Sequence, residues 1–176
     1  MRYAVLADIH GNLPAFDAVM HEATRLGIDH HLGLGDLVGY GAFPNECVAA
    51  VADLGAPAVA GNHDLMAIGR LSDERCIQVA RTTLRWTRSV LNLTARGYLE
   101  RMPPRYATDD GVVCAHGTLD DPQEYLTTPE QAVANLDQLT REHPGCSVLL
   151  VGHTHRPSAC GHDGETRRHE GTIAIG

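Results

Sequence analysis

The chain has no lysine, few aromatic residues and no paired-cysteine pattern. Arginine supplies every strong cation, and the formal net charge of −8 argues against a dedicated nucleic-acid surface, which would normally carry a basic stripe. The five cysteines are odd in number and widely spaced, as is typical of reduced thiols in a cytoplasmic protein. No apolar run reaches membrane-spanning length, and the strand-like run directly after Met1 leaves no room for a signal peptide. We therefore expect a cytoplasmic protein without a membrane partner.

The length of 176 residues favours a single domain over residues 1–176. Short apolar runs predict buried strands over 3–7, 30–34, 58–60, 112–115 and 148–151. Helices are predicted from Pro14 to Gly27, around 47–54, within 72–102 and from a capping box at Thr128 to about Glu142, with Ser72 or Asp73 and Thr94 as further caps. This alternation predicts an α/β fold (α+β by some schemes), with helices packed on a parallel or mixed sheet.

Polar motifs follow five of these apolar runs, in order along the whole chain. Because strand ends at one edge of an α/β sheet form its usual binding site, we expect the motifs to meet there. They are Asp8-Ile9-His10, Gly35-Asp36, Gly61-Asn62-His63-Asp64, His116-Gly117 and Gly152-His153-Thr154-His155. The third motif, Gly61-Asn62-His63-Asp64, is expected to form a loop.

Ligands of this kind predict a site for two metal ions. Mixed nitrogen and oxygen donors suit Mn²⁺, the first expectation, or Fe, Zn²⁺, Co²⁺ or Ni²⁺ better than Mg²⁺ or Ca²⁺. Two cations roughly 3.5–4 Å apart would turn a bridging water into a hydroxide nucleophile and clamp phosphoryl oxygens. A histidine can then protonate the leaving oxygen. The pattern predicts hydrolysis of phosphate esters.

Each residue also has a structural interpretation. Asp36 is a plausible helix cap, Asn62 a plausible turn residue, and a single histidine such as His116 is more often structural than a ligand. Together the motifs favour the metal site, since Gly-Asn-His-Asp and Gly-His-Thr-His after strands are specific signals. The histidines outside the motifs are interpreted as structural or exposed: His21, His30, His31, His143, His162 and His169.

The motifs, with the loop Gly35-Asp36-Leu37-Val38-Gly39-Tyr40-Gly41 and Asn45-Glu46, resemble the calcineurin-like metallophosphoesterase superfamily over about residues 3–157. The small bacterial phosphodiesterase-like members are the most similar. The resemblance implies a mixed β-sheet sandwich flanked by helices. It also implies one metal held by Asp8, His10 and His155, a second held by Asn62, His116 and His153, and Asp36 bridging both with its two oxygens. His63 would face the substrate as general acid or charge stabiliser, and Asp64 would accept a hydrogen bond from its ring.

The function expected from the residues and the resemblance is a metal-dependent phosphoesterase, with a phosphodiester as the first substrate. Phosphomonoesterase, protein phosphatase and dinucleoside-polyphosphate hydrolase stay open. A non-catalytic scaffold of the same fold is the alternative of another class, disfavoured because the ligands and His63 are all present. The segments 121–126 and 72–102 are expected to wall the pocket. Arg81, Arg85 and Arg88 share a helical face and favour a solvated surface over a phosphate-binding lid.

The polar tail departs from the family pattern. Family members usually add strands after the Gly-His-Thr-His motif, which implies here a second sheet that is thin or incomplete at the C-terminus. Asp163-Gly164 is expected to close a small hairpin, and Thr172-Ile173-Ala174-Ile175 to form a last strand. A loosely packed tail or, in preference, a homodimer joined near that sheet edge is the expected consequence.

Overall fold

Two small β-sheets face each other in the computed structural model, which describes residues 2–168. Side chains of both sheets share one apolar cluster, which includes Leu32 and Cys114, with Val59 from outside the strands and Leu150 packed against it. The strands are β1 (Tyr3–Leu6), β2 (His30–Gly33), β3 (Tyr106–Ala107), β4 (Val112–Cys114), β5 (Val148–Leu150), β6 (Ser158–Cys160) and β7 (Thr166–Arg168). The helices are α1 (Leu13–Arg25), α2 (Pro44–Asp53), α3 (Asn62–Ala67), α4 (Gln78–Val90), α5 (Leu93–Arg101) and α6 (Pro129–Glu142).

Parallel and antiparallel pairing both occur. β1 and β2 are parallel, β4 lies between antiparallel β3 and parallel β5, and β6 with β7 forms a separate antiparallel hairpin. The predicted α/β architecture of mixed sheets flanked by helices is confirmed. The carboxyl ends of β1, β2, β4 and β5 deliver the polar loops that the sequence singled out.

Two helices begin where local chemistry predicts. Asn12 accepts a hydrogen bond from the backbone of α1, Pro14 lies in the first turn, and Gly27 follows the helix with φ of 63°. Thr128 and Gln131 form the predicted capping box of α6. A larger apolar cluster joins α2, α3, α4 and α5 and also includes Leu37 and Val38 of the loop after β2; its helical members include Val48, Met66, Leu84 and Leu99.

Three local predictions were wrong. Residues 58–60 form only an isolated bridge, Gly33 to Ala58, because the N–H of Ala60 turns away to the carbonyl of Pro103. The Gly-Asn-His-Asp loop is the start of helix α3. The helices α4 and α5 begin after Ile77 and Asn92, since the Asn92 side chain accepts from the next turn.

The strands are also less buried than their apolar character predicted. Val5 is 38 % exposed and Val148 is 43 % exposed. Within the described residues, β1 pairs only with β2, and β5 pairs only with β4, so each is an edge strand. This agrees with a thin second sheet.

The chain after β5 forms the expected small hairpin. Its turn contains Asp163 and Gly164, and β6 pairs with β7. The last strand predicted at Thr172–Ile175 lies outside the described residues. In the part of the chain that the structure describes, no helix has the length and apolar character needed to cross a membrane.

Candidate metal centre

The loops after β1, β2, β4 and β5 converge with the first turn of α3. They bring all seven predicted ligands and His63 to one place, where three groups of side chains present ligand atoms within 4.8 Å of one another. These groups are Asp8, His10 and His155; Asp36, His116 and His153; and His10, Asp36 and His63.

The first group lies at the more open side of the centre. Nε2 of His155 is 3.3 Å from Oδ1 of Asp8 and 3.2 Å from Nε2 of His10. The His155 side chain is 54 % exposed, whereas that of Asp8 is 12 % exposed. Two imidazole nitrogens and a carboxylate oxygen that face each other can hold a cation.

The second group is buried. Nε2 of His116 is 3.3 Å from Oδ2 of Asp36 and 3.0 Å from Oδ1 of Asn62. Asn62, predicted as a ligand, therefore lies beside His116 as expected. His153 completes this group, and its Nε2 is buried without a hydrogen-bond partner. A buried polar atom without a partner is costly, which favours a ligand at this position.

Asp36 lies between the two groups. Its Oδ2 alone faces both sides, at 3.6 Å from Nε2 of His10 and 3.3 Å from Nε2 of His116. Its Oδ1 accepts the backbone N–H of His63 at 2.8 Å. Oδ2 is therefore the oxygen that lies between the two groups, and the bridging of two metals by Asp36 stays a prediction.

Backbone carbonyls set the direction of two histidine rings. Nδ1 of His116 is 2.7 Å from the carbonyl oxygen of Leu34, and Nδ1 of His10 is 3.1 Å from that of Val38. Such bonds place the proton on Nδ1 and leave Nε2 as an electron-pair donor. Both rings consequently present Nε2 to the centre.

The backbone is strained at the candidate ligands. In the described part of the chain, only five non-glycine residues have a positive φ, and all five are candidate ligands: Asp8, His10, Asp36, His153 and His155. Such conformations cost of order 1–3 kcal/mol each and cluster at functional sites. The fold therefore sacrifices stability to bring these side chains together.

Close approach explains one motif glycine. A Cβ on Gly61 would collide with Oδ1 and the backbone nitrogen of Asp36. Its φ of −86° is open to any residue, so space and not conformation requires glycine here. The second and third motifs are thus packed directly against each other.

Burial and mutual charge shift the pKa values of this cluster. Burial alone would lower the pKa of His116, but the Asp36 carboxylate outweighs it and raises that pKa to about 9. Burial would conversely raise the pKa of Asp36, but the charge and hydrogen bond of His116 lower it. Burial lowers the pKa of His153, assisted by the charge of His116. Without a cation, a proton on His116 provides the positive charge that Asp36 attracts, and a bound metal ion would take the place of that proton.

His63 is 5 % exposed, and its Nδ1 is buried without a partner. Burial lowers the pKa of its imidazole to about 4, so the ring is neutral at neutral pH. The ring packs against His10 at a centroid distance of 4.8 Å. It stands close enough to the shared carboxylate to contact a substrate bound there.

The predicted hydrogen bond from the His63 ring to Asp64 was wrong. The Asp64 carboxylate instead accepts backbone N–H groups from Asp36 at 2.8 Å, Leu37 at 2.9 Å, Val38 at 3.2 Å and Gly61 at 3.0 Å. Burial, followed by the charge of Asp36, raises its pKa to about 7. Asp64 joins the loop after β2 to the start of α3, so it positions the centre and does not touch a substrate.

The donor set fits divalent cations, since nitrogen and carboxylate oxygen atoms converge and one donor nitrogen is buried unpaired.

The two segments predicted to wall the pocket, 121–126 and 72–102, both contribute residues near the centre. Tyr125 stacks on His153, and Thr87 of α4 donates a hydrogen bond to the carbonyl of Gly39. The motifs predict no role for Tyr40, whose ring contacts His10.

Two arginines of α4, Arg81 and Arg88, lie close to the carboxylate of Asp73. Arg88 contacts Asp73 at 2.9 Å and donates to the carbonyl of Met66, and Arg81 is 4.0 Å from Asp73. This arrangement agrees with the surface interpretation of that helical face.

Comparison with known proteins identifies the family of the chain. The sequence model described as Calcineurin-like phosphoesterase matches residues 1–166. An uncharacterized protein of Methanocaldococcus jannaschii, MJ0912, is 33 % identical over 98 % of this chain and 70 % of its own length.

Solved structures give the same result. A metallophosphoesterase from Sphaerobacter thermophilus is 36 % identical, with a TM-score of 0.77 over 97 % of this chain and 69 % of its own. Hypothetical protein PH1004 from Pyrococcus horikoshii OT3, 20 % identical, shares the fold with a TM-score of 0.76 over 90 % of this chain and 71 % of its own.

Proposed function

The chain belongs to the calcineurin-like phosphoesterase family, and from that premise we propose that it is a phosphoester hydrolase that requires two divalent metal ions. The observation that carries the proposal is the position of Asp36, whose single oxygen Oδ2 lies between the ring nitrogens of His10 and His116. An anion shared in this way is suited to two cations.

We assign Asp8, His10 and His155 to one ion and Asn62, His116 and His153 to the other, with Asp36 shared. Mn²⁺ is the first choice, and Fe, Zn²⁺, Co²⁺ or Ni²⁺ are alternatives with the same donor preference. When bound, such ions would activate a water and offset the charge of a phosphoryl group. The side chains supply orientation, since His10 and His116 are held with Nε2 inward by backbone carbonyls.

His63 serves the leaving group. Its ring lies in the group formed with His10 and Asp36, where the neutral imidazole can donate an N–H hydrogen bond to the departing oxygen. The negative charge of a bound phosphoester would raise the pKa of the ring and allow it to donate a proton as general acid. Asp64 acts through the backbone that it holds, and Asp36 orients His63 by accepting its N–H.

A phosphodiester is the preferred substrate. It carries one negative charge, whereas a monoester approaches two at neutral pH, and the chain has a net charge of −8. The side chains that border the centre include tyrosines, and Arg75 beside the wall is already within 3.6 Å of Asp121. These features favour the ester of lower charge.

The test is hydrolysis by purified, metal-analysed protein. Bis(4-nitrophenyl) phosphate and 4-nitrophenyl phosphate are compared with Mn²⁺, with chelator, and with the Asp36→Asn variant. We expect Mn²⁺-dependent turnover that is faster for the diester and is lost in the variant. Metal-loaded protein that hydrolyses neither ester would contradict the proposal and favour the scaffold alternative.

A further inference from the structure

Two exposed tyrosines stand at the candidate metal centre, one beside each half. Tyr40 is 41 % exposed and Tyr125 is 53 % exposed. The ring of Tyr40 meets His10 at 4.9 Å with an interplanar angle of 76°. The ring of Tyr125 stacks on His153 at 3.9 Å with an angle of 26°. Each tyrosine therefore contacts a histidine of a different ligand group.

The two exposed phenols border the same centre. The histidines that they contact belong to ligand groups that share Asp36: His10 lies in one with His63, and His153 lies in another with His116. The tyrosines thus stand beside two parts of one cluster.

Hydrogen bonds fix the backbone that carries Tyr40. The carbonyl of Gly39, the preceding residue, accepts the hydroxyl of Thr87 at 3.0 Å, and Thr87 is fully buried. The Tyr40 ring also leans on His63 at a centroid distance of 4.9 Å. This ring is held from two sides.

A tight turn fixes the segment that carries Tyr125. The N–H of Asp121 donates to the Thr118 hydroxyl at 2.9 Å, and the N–H of Gln123 donates to the Asp121 carboxylate at 2.8 Å. The ring of Tyr125 is then stacked on His153. Both rings are consequently preorganised, which lowers the entropy lost when a ligand binds.

Exposed, rigid aromatic faces are the surfaces on which planar rings stack. In a chain with 5 % aromatic residues, two of them stand beside this centre. We propose that Tyr40 and Tyr125 bind a planar aromatic group carried by the phosphoester, a nucleobase or an aryl ring, and so select aromatic esters over alkyl esters. This inference rests on the proposed function, because it names the substrate class of the same site.

The experiment compares ligands that differ only in the aromatic group, using Mn²⁺-supplemented protein. AMP is paired with ribose 5-phosphate, and phenyl phosphate is paired with cyclohexyl phosphate. Dissociation constants are measured by calorimetry, and inhibition constants against diester hydrolysis. We expect the aromatic member of at least one pair to bind about tenfold more tightly, a factor typical of base stacking. The pair that shows the preference identifies a nucleobase or an aryl ring.

Variants assign the preference to the tyrosines. Tyr40→Leu and Tyr125→Leu should each bring the affinity ratio toward one, whereas the corresponding phenylalanine variants should keep it. Tyr106→Leu is the matched control, since Tyr106 is 37 % exposed but lies on β3 beside a separate cavity with Tyr3 and His30.

Equal affinities within both pairs in the unmodified protein would overturn the inference, as would a ratio that survives in both leucine variants. The proposed function fails separately. If no ester is hydrolysed but the aromatic ligands still bind preferentially, the aromatic site stands and the hydrolase does not. If an ester is hydrolysed but neither pair shows an aromatic preference, the hydrolase stands and the aromatic site does not.

Discussion

The Asp64 carboxylate accepts the backbone N–H of Asp36 at 2.8 Å, so one buried acid holds the backbone of another. Asp64→Asn replaces an acceptor oxygen by an NH₂ group that faces backbone donors. Leaving a buried donor unsatisfied costs about 1–3 kcal/mol. We expect a lower urea midpoint and reduced metal content, measured by chemical unfolding and elemental analysis.

Asp17→Asn is the control for that substitution, because Asp17 is exposed on α1. It should change neither quantity. If Asp64→Asn also leaves both unchanged, Asp64 does not position the metal centre.

Sequence patterns predicted which side chains come together at the centre, because those patterns depend on strand ends, which local apolar runs reveal. The partners of Asp64 could not be predicted in this way. They are backbone N–H groups of residues that only the folded chain brings near, such as Leu37. The same holds for Oδ1 of Asp36, which is engaged by a helix that the sequence pattern presented as a loop.

Strand burial was overestimated for a similar reason. Apolar character at Val5 and Val148 does not report whether a strand lies at a sheet edge.

A homodimer joined near the second sheet stays a prediction. Light scattering at several protein concentrations measures it.

Asp36→Asn should weaken the binding of both metals, since it removes the negative charge that both ligand groups share. Elemental analysis should show loss of metal, and turnover should fall with it. A ligand present at 100 times its dissociation constant stabilises a protein by about 2.7 kcal/mol. Chelation should therefore lower the melting temperature of the unmodified protein and leave that of the variant almost unchanged.

Asp29→Asn is the comparison for this variant. Asp29 lies just before β2, at the end of the strand opposite Asp36, and should retain metal and turnover. Full metal content in Asp36→Asn would exclude Asp36 as the shared ligand.

His63→Ala should keep both metals and lose turnover by about 10²–10⁴-fold, the usual size of a general acid–base contribution. The loss should shrink for esters with good leaving groups, because these need little protonation. Metal content is decisive here, since the His63 ring also lies within ligand distance of His10 and Asp36. A lost metal would make His63 a ligand. His21→Ala, on the exposed face of α1, controls for removal of an imidazole.

Gly61→Ala and Gly97→Ala make the same chemical change in two different surroundings. A Cβ on Gly97, inside α5, meets only Nη1 of the flexible Arg101 side chain at 3.4 Å. Alanine is favoured over glycine in a helix by about 0.5–1 kcal/mol, so Gly97→Ala should raise the melting temperature. A Cβ on Gly61 would instead collide with the Asp36 carboxylate and backbone.

Because both partners of the Gly61 collision are buried, relief requires the loop after β2 to move, and overpacking of this kind costs about 1–3 kcal/mol. Gly61→Ala should therefore melt at a lower temperature and retain less metal, although its φ of −86° suits alanine. Thermal unfolding and elemental analysis of the two variants side by side measure this contrast. A Gly61→Ala protein with unmodified stability and full metal content would mean that the two loops are free to separate, and that their close packing does not set the position of Asp36.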